Sequence, residues 1–548
     1  MAQQLGQFLN PQARSIEEYQ EFLLEVLQAE YESNRDPKVV YPILQHRQHL
    51  LDDTFAQLLQ QWARNVFSQR KVEQVAGIAG VIQILCIHIY QFHLGSRANN
   101  LEIAITGYQT LLEVYTRAFP EQWARSQTNL GTAYSNRIRG ERADNLEKAI
   151  SAYNQSLEVL TREAFPEYWA MTQTNLGNAY SNRIRGERAD NLEMAIAAYN
   201  LSLEVRTRQA FPEYWATTKN NLGTAYSNRI RGERADNLEM AIAAYNLSLE
   251  VYTRQAFPEY WARSQSNLGT AYSDRIRGEK AENLELAIVA YNLSLEVHTR
   301  DAFPEQWAVT QNNLGTAYIN RIQGDIVENI ETAIFCYQEA LKIRTFDAFP
   351  LDWATTQNNL GNAYSERIRG NKAENIENAI VCYQEALQIY TRQAFPGDWA
   401  ETQYNLANTL RERFKLLGKV TDIQQAINSY KQAGEMIEKT ENKTLYFNYS
   451  YQLGKALFEG GYYTEAIEHL ENCQQLYQKQ KNISSLAPIL LELARLYHRT
   501  GRLEQARLYF KDSLRLFRRL GDQDNVASVT TALGNLEIQI GKISQACS

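Results

Sequence analysis

Cysteine is scarce, five residues among 548, and the five are scattered. Cys336 and Cys382 are the same position in successive copies of a repeat, so the pattern argues against a disulfide framework and for a reducing cytoplasm. Histidine is sparse too. His46 and His49 lie three apart on an expected helix, but no acid or cysteine completes a ligand set, so neither a metal nor a cofactor is expected. No catalytic constellation and no glycine-rich phosphate loop appears, which excludes the common enzyme signatures. Basic residues do not outnumber acidic ones: 56 Lys and Arg stand against 63 Asp and Glu, a net charge of −7, which weighs against a nucleic-acid partner. The most apolar stretch, AGIAGVIQILCIHIY at 76–90, is shorter than a span of ~20 residues and is broken by Gln83 and His88. It reads as a buried helix, with no membrane insertion. The N-terminal MAQQLGQF lacks the basic and apolar regions of a secretory signal.

What the chain has instead is a period of 46 residues. Pro120, Pro166, Pro212, Pro258, Pro304, Pro350 and Pro396 mark it, and Trp123, Trp169, Trp215, Trp261, Trp307, Trp353 and Trp399 keep the same beat. Self-similarity at this period is the signature of a solenoid. Each unit reads as two helices, near 120–139 and 145–163 in the first close copy. Pro120 suits the first helical turn, where a missing N–H costs nothing. Trp123, Leu130, Tyr134 and Ile138 form one apolar stripe, and Gly140 stops the helix. Asp144 or Asn145 can cap the second helix, whose stripe is Leu146, Ala149, Ile150, Tyr153 and Leu157. Gly131 lies inside the first helix at a cost of ~1 kcal/mol relative to alanine. It recurs as Gly177, Gly223, Gly269, Gly315 and Gly361, where close approach of the partner helix gives a physical reason for it. Burial of the tryptophans and close packing at the glycines are therefore expected.

Leu130-Gly131-x-x-Tyr134, with Ala149, Tyr153 and Ser156, resembles the tetratricopeptide pattern of small and large packing positions. The departure is length, since Tyr134 to Ala149 is fifteen residues where the family's spacing is nine. The resemblance covers roughly residues 73–548. It implies an all-α fold, a right-handed superhelical solenoid of antiparallel helix pairs, and a cytoplasmic, non-enzymatic protein. The FPxxWA and NLGxAYxxRIxG phrases resemble bacterial arrays, some of which precede a caspase-like CHAT protease domain. The family's carboxylate clamp is not matched.

Along the chain, residues 1–72 lie outside the period and read as a helical cap or docking region, with helices from Ser15 to about Tyr31 and from Asp36 to about Gln69. Residues 73–118 are a worn copy, with Cys86 at the place of the helix glycine. The array of 46-residue units runs over 119–433, its last copy degraded. Residues 434–444 read as a joint. From 445 to 548 the period becomes 40, and the last unit stops two residues after Ala546, before a second helix.

Two polar features invite a functional reading. Arg137-Ile138-Arg139 and its copies could attract an acidic partner, but Glu141, Asp144 and their copies favour ion pairs between repeats. The asparagine before each Leu-Gly pair recurs as Asn129, Asn175, Asn221, Asn267, Asn313, Asn359 and, in the degraded copy, Asn405. An amide both donates and accepts, so a ladder of them could pair with an extended peptide backbone. The alternative is a hydrogen bond between helices, or plain copying of recent duplicates. The sequence thus points to a scaffold or adaptor for a protein or peptide, or to the sensing arm of an effector such as a CHAT-type protease.

Overall fold

The computed structural model describes residues 16–70, 72–115, 119–438 and 443–547. Among them it is all-α, a solenoid of consecutive helix pairs with no strand. Contacts group the chain into two compact units, Met1–Lys280 and Ala281–Ser548.

The first unit begins with α1 (Ile16–Glu32), α2 (Pro37–His46) and α3 (Asp53–Ser68), packed against α4 (Val72–Gln91) and α5 (Arg97–Val114). The helical region expected from Asp36 to about Gln69 consists of α2, a short turn at Gln48–Leu50 and α3. Asp52 caps a new helix by accepting from the amides of Thr54 and Phe55, which turns Leu50 and Leu51 into the core. His46 therefore ends one helix while His49 sits in the intervening turn, and they do not share a helix face. Ser15, the first residue of the expected capping box, lies outside the described residues. The apolar helix α4 is longer than its apolar run, with an 18-residue window hydrophobic enough to cross a membrane. Ala79, Ile82, Leu85, Cys86 and Ile89 are nonetheless fully buried against the neighbouring helices. In this pair the glycine moves from the first helix to the second. Gly107 on α5 stands at the place of Ala152, beside Tyr108 at the place of Tyr153, and a Cβ on it would collide with the Cys86 sulfur. Where the first helix gains a side chain, the second gives one up.

The close copies follow as α6 (Pro120–Ser135), α7 (Arg142–Leu157), α8 (Pro166–Ser181), α9 (Arg188–Leu203), α10 (Pro212–Ser227), α11 (Arg234–Leu249) and α12 (Pro258–Asp274). The helices are shorter than the apolar stripe suggests. Asn136 takes the Thr132 carbonyl with its side-chain amide at 2.9 Å and ends α6, so Ile138 falls in the connecting turn and is 61% exposed. Gly140 follows at φ +77°, a left-handed conformation that suits glycine. Neither Asp144 nor Asn145 caps the next helix, which starts at Arg142. Asn145 is buried and its amide holds the Arg139 carbonyl at 2.9 Å, fastening the turn. Between units, Thr161 accepts from the Ala164 amide, and Trp169 N–H bonds the Phe165 carbonyl to start the next helix. The core between neighbouring units is partly polar: Thr128 Oγ1 lies 2.8 Å from Ser156 Oγ and 3.0 Å from Thr172 Oγ1, all three buried.

The arginine pairs fasten each unit to the one before it. Arg183 forks onto Glu147 at 2.8 Å through both nitrogens, Arg229 onto Glu193, and Arg275 onto Glu239. The second arginine of each phrase reaches the preceding unit as well, Arg185 to Asp144 and Arg231 to Asp190. Hydrogen bonds from the guanidinium groups hold the carboxyls of Glu147, Glu193 and Glu239 below the usual glutamate range. A carboxyl of depressed pKa stabilises the fold above its unfolded value, ~4.3, and that contribution is lost as pH falls through the folded value. The urea midpoint should therefore be steady down to about pH 5 and then fall, and the fall should shrink when Glu193 and Glu239 become glutamine. A midpoint that holds between about pH 5 and 3, once other carboxyls are matched by the glutamine control, would contradict this account.

The second unit continues with α13 (Lys280–Leu295), α14 (Pro304–Ile319), α15 (Ile326–Leu341), α16 (Pro350–Glu366), α17 (Lys372–Ile389), α18 (Pro396–Leu417) and α19 (Val420–Glu438). In the degraded last copy α18 is longer than its counterparts and runs on to a left-handed Gly418 at φ +68°. α19 continues through Glu438, so the first residues of the expected joint are helical. Helices at the shorter period then follow: α20 (Lys443–Glu459), α21 (Tyr463–Lys479), α22 (Ile483–Arg499), α23 (Leu503–Leu520) and α24 (Gln523–Cys547). Leu533, Gly534 and Ala546 lie on one continuous helix, α24, so no turn separates the last unit's two expected segments.

Candidate functional site

The first helices of successive pairs touch one another, α6 with α8, α8 with α10 and, in the second unit, α14 with α16 and α16 with α18. Tyrosines from the second helices fill the space left by the glycines. A Cβ on Gly131, Gly177, Gly223, Gly315 or Gly361 would come within 2.8 Å of the ring of Tyr153, Tyr199, Tyr245, Tyr337 or Tyr383. Each of those rings is almost wholly buried, while its hydroxyl bonds the residue after the glycine. Tyr199 donates to Asn178 Oδ1 at 2.8 Å and Tyr383 to Asn362 Oδ1 at 2.8 Å. Gly269 is likewise buried in α12.

The tryptophans are less buried than their helical spacing suggests. Trp307 and Trp399 are 9% exposed, whereas Trp123, Trp169, Trp215, Trp261 and Trp353 are half-buried. They stand in the first turn of their helices, and an arginine from the preceding turn covers one ring face, Arg162 over Trp169 and Arg208 over Trp215. The other edge stays wet.

All seven ladder asparagines are half-buried on the first helices. In the first unit, Asn175 Nδ2 donates to Thr132 Oγ1 at 3.3 Å, Asn221 Nδ2 to Asn178 Oδ1 at 3.0 Å and Asn267 Nδ2 to Asn220 Oδ1 at 3.4 Å. In the second, Asn359 Nδ2 reaches Asn312 Oδ1 at 3.3 Å, and Asn313 Oδ1 accepts from Asn312. Asn129 and Asn405 make no side-chain hydrogen bond among the described residues. The ladder thus has two faces. Its donors tie each first helix to the one before it, while the Oδ1 atoms of Asn175, Asn221, Asn267 and Asn359 accept nothing from the described residues.

In the second unit this face opens into a groove of about 420 Å³ that crosses α14, α16 and α18. Asn359 and Asn405 line it with Asn320, Asn362, Asn408, Thr316 and Thr409. Tyr337 and Tyr383 rise from the second helices, and Glu366 and Glu401 supply the only charges among its described lining residues. Sequence reading singled out two of these residues. It missed the row after the glycine (Thr132, Asn178, Thr224, Thr316, Asn362, Asn408), although that row repeats with the same period. It also missed the carboxylates, which a period-based search passes over because they depart from the repeat.

The tetratricopeptide repeat family model matches residues 445–519 and 485–546, and the model for soluble NSF attachment protein, SNAP, matches 351–464. Residues 445–546 are tetratricopeptide repeats. Similar solved structures include the apo form of RapI (TM-score 0.38, 15% identity, covering 56% of this chain and 98% of RapI). Another is the human IFIT1 dimer with m7Gppp-AAAA (0.40, 15%, 85% of this chain and 95% of that one). A third is the apo form of the quorum sensor NprR from B. thuringiensis (0.36, 15%, 75% and 97%). No curated protein matches the chain. In tetratricopeptide terms, Gly454 and Ala466 keep the small positions of the ordinary-length units. A Cβ on Gly454 would meet Leu470 at 2.8 Å, so leucine does there what tyrosine does in the long repeats.

Proposed function

We propose that the protein is a non-enzymatic interaction scaffold whose first helices bind an extended segment of a partner protein. The observation that carries this reading is the row of asparagine oxygens without a described partner, two of its members opening into the groove across α14, α16 and α18. An extended peptide presents N–H groups at regular intervals, and a row of acceptors fixed on a rigid solenoid can take them up with little ordering cost. The near-identity of the copies suits a ligand read by its backbone. The acidic balance of the chain supports a protein partner over a nucleic acid.

The test is a random decapeptide display selection on the whole protein, followed by titration of the selected peptides. Removing two acceptors with Asn359→Ala and Asn405→Ala should weaken binding about tenfold, at 0.5–1.5 kcal/mol per hydrogen bond. Far-ultraviolet circular dichroism should stay unchanged. Wild-type affinity in the folded double variant would mean the ladder serves only to tie helices together.

A further inference from the structure

We infer that the groove of the second unit selects a basic segment, taking up a lysine or arginine side chain beside Glu366 and Glu401. This rests on the peptide-binding reading above and gives its ligand a charge.

The repeats provide their own control. At the place of Glu366 the other long units carry Asn136, Asn182, Asn228, Asp274, Asn320 and Glu412. Four of these are asparagines whose amides close the end of their helix, as Asn320 does by donating to the Thr316 carbonyl at 2.8 Å. Asp274 is paired with Arg234 at 3.3 Å and Glu412 with Lys415 at 2.8 Å. Glu366 alone has neither an amide nor an ion pair among the described residues. It is the last residue of α16, where the negative end of the helix dipole disfavours a carboxylate. Desolvation in the groove raises its pKa. Glu401 is a second departure, since Arg125, Met171, Thr217, Arg263, Val309 and Thr355 hold that place elsewhere. It too has no ion pair among the described residues.

The nearby cations are already engaged. Arg321 forks onto Glu285, Arg367 onto Glu331 and Arg411 onto Glu459, while the Lys372 ammonium sits 3.2 Å from the Ser365 carbonyl. Both carboxylates are left to face a cavity otherwise lined by amides, hydroxyls and Ile319, with no positive charge among its described lining residues. Asparagine oxygens add further acceptors. Such a wall has a surplus of acceptors and lacks counter-charge, and an ammonium or guanidinium on a peptide that brings its own N–H groups is the complement. Placing a carboxylate at a helix C-terminus costs stability, and function is where a chain departs from its own local rule.

The test selects nonapeptides from three random pools on the full chain: one with Lys and Arg but no acids, one uncharged, one with Asp and Glu but no bases. Binders should come from the basic pool, and their affinity should fall steeply with salt. Glu366→Asn, which installs the residue found in four sister units, combined with Glu401→Gln should lower that affinity tenfold or more while leaving the thermal midpoint equal or higher. Binding lost with a lowered midpoint would instead mark these acids as structural and overturn the assignment. Binders drawn equally from the uncharged or acidic pool, yet still sensitive to Asn359→Ala with Asn405→Ala, would overturn the charge preference and leave the groove reading standing. Basic binders indifferent to the acid substitutions would place their site elsewhere and overturn it as well. Recovery of no binder from any pool would overturn both readings together.

Discussion

Gly223→Leu should be among the most damaging single changes in the first unit. A Cβ at this position already lies 2.7 Å from Cε1 and 2.9 Å from Cδ1 of Tyr245, and leucine adds three more carbons behind it. The ring cannot retreat easily, because it is buried to 2% exposure and its hydroxyl is held 3.1 Å from Thr224 Oγ1. Overpacking of this kind costs ~1–3 kcal/mol or more. Leucine's better helix propensity returns less than about 1 kcal/mol, so the clash wins. Units in a solenoid are stabilised by their neighbours, so the loss should reach the flanking pairs. Urea unfolding and amide hydrogen exchange across 177–269 provide the measurement. Trimming the ring in the same molecule with Tyr245→Leu should recover much of the loss. Unchanged exchange around the substitution would show that these helices are not packed as tightly as the geometry indicates.

The second large effect is expected at Arg411, which lies under the passage from long to short repeats. Arg411 is 5% exposed, and its guanidinium forks onto Glu459 at 2.5 and 2.7 Å, with Gln452 Oε1 at 3.0 Å. A guanidinium does not shed its proton, so it cannot escape burial by becoming neutral. Glu459→Ala would leave that charge without its partner in a poorly polarisable interior, at ~3–5 kcal/mol. Replacing both residues with methionine removes the charge and the need for it together, and should restore most of the stability. Denaturation of Arg411→Met, Glu459→Met and the double variant forms a cycle. A Glu459→Ala protein as stable as the parent would mean water reaches the pair and screens it.

Much of the architecture was legible because a tandem repeat writes one local solution many times. The 46-residue beat of Pro120 and Trp123, the small position at Gly131 and the aromatic at Tyr153 specify two helices and the distance between them. Helix ends were less legible. Ile138 keeps the apolar spacing of α6, yet the amide of Asn136 ends the helix before it, and Arg137 and Arg139 are drawn toward Glu102 and Asp53 instead. Asn145 has the composition of a cap and serves as a strut, because its side chain finds the Arg139 carbonyl. These outcomes depend on partners up to 86 residues away, which no local window contains.

The sequence by itself determined the helical solenoid, the close approach at the glycines, and which positions recur. It could do so because periodicity and side-chain size are properties of the chain alone. Only the tertiary structure decided that the first arginine of each phrase takes Glu147 or its copy in the preceding unit, and that Gly107 makes room for Cys86. It also decided which atom of each asparagine is spent on a neighbouring helix. The groove across α14, α16 and α18 belongs to the same class. Residues from three first helices and two second helices converge there, and whether Glu366 has a counter-ion depends on where Arg321, Arg367, Arg411 and Lys372 have gone. Charge compensation is a property of neighbours in space, and that is the information a linear reading lacks.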